Sequence, residues 1–387
     1  MNTKRNILLN YAFLFLAFMR PTISIWVLFM TKRGLSLLEI GLLESIFHIG
    51  SMIFEVPTGA LADIYGRKIV RIFGRISAIL STILMIISRN FLMYAVSFIL
   101  SALSYNLESG TGDALLYESC EEAGIKDKYD KILGKAYTIS TVGDSIGALI
   151  GGFLISRYLY MPYYIELLTN VIALIISMMM KEVKLKEEKK VHQKAFEGIK
   201  FIFKEKYLLY FFIIASTFSA SMTSISFYNQ KYFTIIGIPV VYFGAIFFAQ
   251  GISNSLGSYI SEKIERALKI HLLPIVFVAS ILIVVMLSNA KGFMGVVLMI
   301  LLEVVSGILE TYFVRVINKR IKNTIRATVI STQSLMFSLF MIILFPSVGY
   351  IADKFNFFSS YICISGLLLL SLLMYTLFTK KLTKDST

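Results

Sequence analysis

Gly59-Ala-Leu-Ala-Asp63-Ile-Tyr-Gly66-Arg67-Lys68-Ile-Val-Arg71 is a short charged turn wedged between two long apolar runs. A charge at the centre of a bilayer costs about 2.5–3.5 kcal/mol on insertion scales. Asp63 and the Arg67, Lys68 and Arg71 cluster therefore belong at a membrane surface, where an apolar helix reverses within a few residues and re-enters the lipid. Gly59 and Gly66 allow the two helix ends to approach closely.

The rest of the chain agrees with a lipid environment. It is 57% hydrophobic and only 16% charged, with a mean hydropathy of +0.75, whereas soluble domains are about 25% charged. The net charge of +14 is spread through the connectors between apolar runs, which suits membrane topology and not a nucleic-acid-binding face. Cys120 and Cys363 have no metal-ligand spacing and read as buried thiols. The apolar run after Lys4 and Arg5 is too long for a signal-peptide core and reads as a retained first span.

At about 20 apolar residues per crossing, twelve spans are expected near 7–29, 37–61, 69–88, 91–118, 134–156, 162–180, 207–235, 240–261, 270–288, 293–317, 327–351 and 357–378. With the N-terminus inside, the cytoplasmic segments hold 28 Lys and Arg against seven outside. That bias places both termini in the cytoplasm. Lys181–Lys206, with nine Lys and five Glu, divides the spans six and six. Its second half, Ala195–Phe203, has apolar residues at helical spacing and reads as an interfacial helix; a solvated linker is the alternative for 181–194.

A weak internal repeat supports duplication. Ser109-Gly110-Thr-Gly-Asp113 is echoed by Ser306-Gly307-Ile-Leu-Glu310, and Lys135-Ala-Tyr-Thr-Ile-Ser-Thr by Arg326-Ala-Thr-Val-Ile-Ser-Thr.

The pattern G-x-L-A-D-x-x-G-R-K over 59–68 resembles the signature loop between the second and third helices of the major facilitator superfamily. Length, span count, six-plus-six division and the long central loop extend the resemblance over the whole chain. It implies an all-α membrane protein of twelve transmembrane helices in two six-helix pseudo-symmetric bundles, 1–180 and 207–387, joined by the cytoplasmic linker 181–206. It also implies that Gly59, Asp63, Gly66, Arg67 and Lys68 form a cytoplasmic gate latch. Arg67 or Arg71 is expected to pair with Glu118, and Asp63 with the helix N-terminus near Arg326–Thr328. The alternative is that these charges only satisfy the positive-inside bias.

The fifth span carries Gly134-x8-Gly143-x3-Gly147-Ala148-x2-Gly151-Gly152. This is similar to a motif of the antiporter branches, with Ala148 where they have Pro, and implies a drug:proton antiporter-like exporter. Ordinary close helix packing is the competing reading of the same stripe. An Arg that the family often has in its fourth helix is replaced here by Asn106.

Ionisable residues within spans usually line a pathway. Those expected deepest are Arg20, Glu44, His48, Glu108, Asp113, Asp144, Glu166, Glu303 and Glu310. The expectation is a central water-filled cavity with Arg20 as a fixed cation and Glu108, Asp113, Glu303 and Glu310 as proton-exchanging acids. Structural ion pairs, Arg20 with Glu44 or Glu108, are the alternative. Phe227, Tyr228, Tyr232 and Phe233 with Asn229 and Gln230 would wall the cavity and favour an amphipathic solute.

These features point to a secondary transporter in the plasma membrane, acting as a monomer on a small molecule with protons, within the lipid bilayer and without nucleic acid. Proton-coupled efflux leads, and proton-coupled import of a nutrient or metabolite is the alternative. An enzyme or receptor fits less well: the three His have no zinc spacing and no phosphate-binding Gly-rich loop is present, so neither cofactor nor metal is expected.

Overall fold

A computed structural model describes residues 4–183, 206–320 and 326–384. Among these, all regular structure is helical. The α-helices are α1 (Lys4–Phe18), α2 (Trp26–Lys32), α3 (Leu37–Tyr65), α4 (Arg67–Ile87), α5 (Phe91–Glu108), α6 (Thr111–Glu122), α7 (Tyr129–Ile155), α8 (Met161–Met179), α9 (Lys206–Ile235), α10 (Phe243–Leu268), α11 (Leu272–Asn289), α12 (Phe293–Arg320), α13 (Arg326–Lys354) and α14 (Phe357–Lys384). Ten stretches of the described residues are long and apolar enough to cross a membrane. Outward-facing apolar side chains such as Ile275, Val278, Leu282 and Met286 on α11 are about half exposed. Such a face is stable against lipid rather than water. The interfacial helix expected over Ala195–Phe203 lies outside the described residues, as do the side chains of Arg326–Thr328.

Two expected spans are interrupted. The first, 7–29, stops at Phe18 and resumes at Trp26. Pro21 has no backbone N–H and its ring obstructs the preceding turn, so the intervening residues form short-range turns instead (Arg20 N–H to Phe18 O, 2.9 Å; Ile23 N–H to Arg20 O, 3.2 Å). The fourth, 91–118, breaks at Ser109 and Gly110, where Gly110 takes φ 72°, a conformation open mainly to glycine. Ser306 and Gly307, the matching residues of the repeat, lie inside the continuous helix α12. The echo in sequence is thus not an echo in local structure.

The chain forms two compact units. The first comprises Met1–Leu35, Leu42–Glu187 and Pro239–Phe248; the second comprises Ser36–Gly41, Glu188–Ile238 and Ala249–Thr387. Within each, small residues bring helices together, the usual device where water supplies no drive for helix association. In the first unit, Ser81 and Ser97 exchange hydrogen bonds to each other's carbonyl (2.9 and 2.8 Å) between α4 and α5. Asn106 donates to Ser51 Oγ at 2.9 Å, tying α5 to α3. In the second, Ser261 donates to Ile308 O at 2.8 Å, and Gly257 and Gly307 lie directly against the backbone of α12 and α10 respectively. Cys120 is buried, but Cys363 is exposed on α14, where its helix face is apolar.

The charged turn that opens the sequence joins α3 to α4 through the single residue Gly66, at φ 95°. The Glu182 carboxylate sits over the start of α4, accepting from the N–H groups of Arg67 (2.9 Å) and Lys68 (3.0 Å). A carboxylate there satisfies orphan N–H groups and meets the positive end of the helix dipole. A side chain at Gly59 would meet nothing within 4 Å, so close helix approach does not account for glycine at that position.

Candidate functional site

The first unit encloses a cavity of about 630 Å³, lined by α1, α3 to α8 and the α1–α2 break. Its wall carries many polar groups among apolar ones: Arg20, Arg71, Arg75, Glu108, Asp113, Glu166, Asn10 and Asn170 all reach it. Phe18, Phe47, Tyr105 and Tyr137 supply aromatic surface between them.

Arg71 projects inward from α4 and is fully buried. Its guanidinium grips Glu108 with two bonds (Nη2 to Oε1, 2.7 Å; Nε to Oε2, 3.2 Å), gives a third to Asn10 Oδ1 at 2.7 Å, and lies 4.2 Å from the centroid of the Phe13 ring. Such a bidentate, fully bonded pair is the form in which opposite charges tolerate burial. Gly112 makes room for it, since a Cβ there would stand 2.5 Å from Arg71 Nη2. Of the two partners expected for Glu118, Arg71 pairs with Glu108 instead, so Glu108 is no longer a free acid. The other, Arg67, meets Glu118 at 3.5 Å, and Arg67 also holds Asp63 at 2.9 Å, one turn back on the chain. Asp63 thus takes its partner from within its own turn.

Arg20 pairs with neither Glu44 nor Glu108. It makes a fork to Asp144 on α7 (Nε to Oδ1, 3.2 Å; Nη2 to Oδ1, 3.1 Å; Nη2 to Oδ2, 3.2 Å). The glycine stripe of α7 makes this possible. A Cβ on Gly143 would meet Phe15 O at 2.5 Å, one on Gly147 would meet Arg20 N at 2.6 Å, and one on Gly151 would overlap Pro21 O. Gly152 faces Gly244, also in the first unit, where a Cβ would lie 2.5 Å from its N. The stripe is therefore a seat for the broken α1–α2 segment, and Ser24 Oγ completes it by donating to Ala148 O at 2.9 Å. Gly134 faces open space and takes no part.

Glu166 accepts from the Thr22 hydroxyl and, at 3.4 Å, from the Thr22 N–H. Asp113 accepts from the Tyr137 hydroxyl at 2.7 Å. Glu44 and His48 lie on α3 and are not among the residues lining the cavity.

The sequence reading missed Arg75. It is 7% exposed and lines the cavity one turn beyond Arg71. Its bonds go to neutral groups, Asn170 Oδ1 (3.1 Å) and Ser104 Oγ (3.4 Å). The available signal was its position: an arginine four residues after Arg71 shares that residue's helix face.

In the second unit, Glu303 accepts from Ser226 Oγ at 2.5 Å and from Asn254 Nδ2 at 3.4 Å. Glu310 lies two turns further along the same helix. Asn229 donates to Gln250 at 3.2 Å, and both are 5% exposed. The aromatic wall expected from α9 is largely core: Tyr228, Tyr232 and Phe233 are at most 3% exposed. The Tyr228 hydroxyl binds the carbonyls of Leu37 and Phe345, each at 3.0 Å.

Comparison with known proteins bears on this site. The sequence profile of the Major Facilitator Superfamily matches residues 7–339. An uncharacterised MFS-type transporter of Bacillus subtilis (strain 168), YxaM, is 24% identical over 92% of this chain and 91% of its own. An uncharacterised MFS-type transporter of Methanocaldococcus jannaschii, MJ1560, is 27% identical over 43% of this chain and 41% of its own. Among solved structures, a point mutant of the nucleoside transporter NupG superposes with a TM-score of 0.80 at 16% identity, covering 97% of this chain and 99% of its own. A bacterial homologue of the human lysosomal transporter Spinster, in an inward-facing and unoccupied conformation, gives 0.77 at 14% identity, covering 99% and 98%.

Proposed function

Because this chain belongs to the Major Facilitator Superfamily, we propose that it is a secondary active transporter that imports a small polar nutrient or metabolite, driven by protons, through alternating access. The observation that carries this reading is the cavity of the first unit, with three arginines, three acids and two asparagines in its wall. A polar solute can hydrogen-bond to such a wall, whereas an apolar surface pressed against it would displace water from polar groups without replacing its bonds. The aromatic residues that favoured an amphipathic solute are mostly committed to the core of the second unit. The fold shared with a nucleoside transporter is in keeping with a metabolite. The glycine stripe that favoured an exporter has a local structural reason, the seating of the α1–α2 break.

Twelve crossings follow if α1 with α2, and α5 with α6, each form one interrupted crossing. The charge bias between connectors supports a topology with both termini in the cytoplasm. With Glu108 held by Arg71, the acids suited to carrying a proton are Glu166 and Glu303. Both accept hydrogen bonds from uncharged groups, those of Thr22, Ser226 and Asn254, so a proton is not excluded by a fixed cation in contact.

Proteoliposomes containing the purified chain test the proposal. An inward proton gradient should drive accumulation of a polar metabolite from a labelled panel of nucleosides, sugars, amino acids and organic acids. E303Q should abolish the gradient's effect while leaving exchange at equilibrium. Solute leaving in exchange for entering protons would establish efflux and overturn the direction proposed.

A further inference from the structure

We infer that the cavity of the first unit recognises an anionic group of the solute, a carboxylate or phosphate, and that Arg75 is its anchor; this rests on the transporter reading above.

Three guanidinium groups reach the cavity, and two are already neutralised. Arg20 is held by Asp144, and Arg71 by Glu108 and Asn10. Arg75 makes no ion pair among the described residues, although it is more than nine-tenths buried. Its Nη1 bonds Asn170 Oδ1 at 3.1 Å, and Asn170 is fixed in that orientation because its own Nδ2 donates to Glu166 O at 3.0 Å. Its Nη2 reaches only the Ser104 hydroxyl, at 3.4 Å, and its buried Nε has no hydrogen-bond partner. The Nε–Nη2 edge of an arginine is the fork that meets both oxygens of a carboxylate or phosphate. Here that edge is the under-used one, on a side chain that lines the cavity.

A buried cation without a counter-charge is strongly unfavourable, and the fold invests in holding this one still. Besides Asn170, the Phe13 ring centroid lies 5.5 Å from the Arg75 guanidinium and 4.2 Å from that of Arg71. The acids that share the cavity are engaged elsewhere: Glu108 by Arg71, Asp113 by the Tyr137 hydroxyl, and Glu166 by the N–H and hydroxyl of Thr22. An anionic solute supplies what the site lacks. The cavity volume suits a molecule of metabolite size.

The test uses the full-length chain in detergent, followed by thermal melts with matched probes: succinate against succinamide, glucose 6-phosphate against glucose, and uridine monophosphate against uridine. An anionic member should raise the melting temperature while its neutral counterpart does not; the carboxylate and phosphate arms show which oxyanion is taken. R75Q should weaken the apparent affinity for that anion at least tenfold, and R75K less. Without ligand, R75Q should melt no lower than the wild type, because it removes a buried cation that has no ion-pair partner while the Gln amide can still donate to Asn170 or Ser104. A ligand-free melting temperature that falls equally in R75Q, E166Q and their double variant would assign Arg75 to a structural pair and overturn the inference. So would equal binding of the neutral counterparts. Uptake in proteoliposomes separates the two readings: a neutral solute carried equally by wild type and R75Q leaves the transporter and removes the anion, whereas no uptake or binding of any probe removes both.

Discussion

Arg71 and Glu108 form a two-bond ion pair, 2.7 Å at its shorter contact, in which the arginine is fully buried and the glutamate 13% exposed. The pair joins α4 to the end of α5, just before the break at Ser109 and Gly110. It fixes the position of the break and, through it, the wall of the cavity. Glu108 is thereby a structural acid, whatever charge it carries near the pathway.

Removing one partner should be far more damaging than removing both. R71M strands Glu108 and E108L strands the arginine, and each loss should cost about 3–5 kcal/mol. The double variant R71M/E108L should lose much less than the sum. Denaturation of the four proteins in mixed micelles measures the coupling directly. Additive losses would mean the two side chains act independently.

Glu182 closes the turn between α3 and α4 by capping α4. E182A should cost about 1 kcal/mol of local stability, the usual worth of such a cap, and E182Q somewhat less because the amide oxygen still accepts. The loss should appear in hydrogen exchange as faster amides at Arg67 and Lys68. Unchanged exchange there would show the cap to be dispensable.

The turn itself was legible because charge and glycine punctuate an apolar run at one place in the chain, and physics leaves such a segment few locations. Its closure was not, because Glu182 lies 115 residues away from Arg67 and nothing local links them. Pro21 announced a kink, but the width of the interruption depends on the glycines of α7 receiving the displaced backbone. Ser109 and Gly110 looked like an ordinary small-residue pair, since glycine is common within membrane helices, and only the fold shows it as a break. The partners of Arg20 and Arg71 were not legible for a similar reason: hydropathy gives depth along a helix but not the azimuth at which neighbouring helices present Asp144 and Glu108. Arg75 went unnoticed because the positive cluster was read as ending at the membrane surface with Arg71.

The glycine stripe gives an internal control. Gly134 is exposed with nothing within 4 Å, and Gly147 is pressed against Arg20. G134A should raise stability by up to about 1 kcal/mol through helix propensity. G147A should lower it by about 1–3 kcal/mol through overpacking and should disturb the Arg20–Asp144 fork. Melting temperatures that moved together in the two variants would show that glycine content, rather than contact, governs α7.

The Arg20–Asp144 pair tests whether the cavity holds water. Its members are 43% and 25% exposed, and a pair facing solvent contributes about 0–1 kcal/mol after screening. R20Q and D144N should therefore each change stability by less than about 1 kcal/mol, in contrast to the variants of the buried Arg71–Glu108 pair. Added salt should weaken what coupling there is, because exposed charges are screened over about 10 Å at 0.1 M. Stability curves for both single variants and the double, at low and high salt, measure this. Losses as large as those at Arg71, insensitive to salt, would mean that the chamber is dry and that a charged solute could not enter it from water at this end.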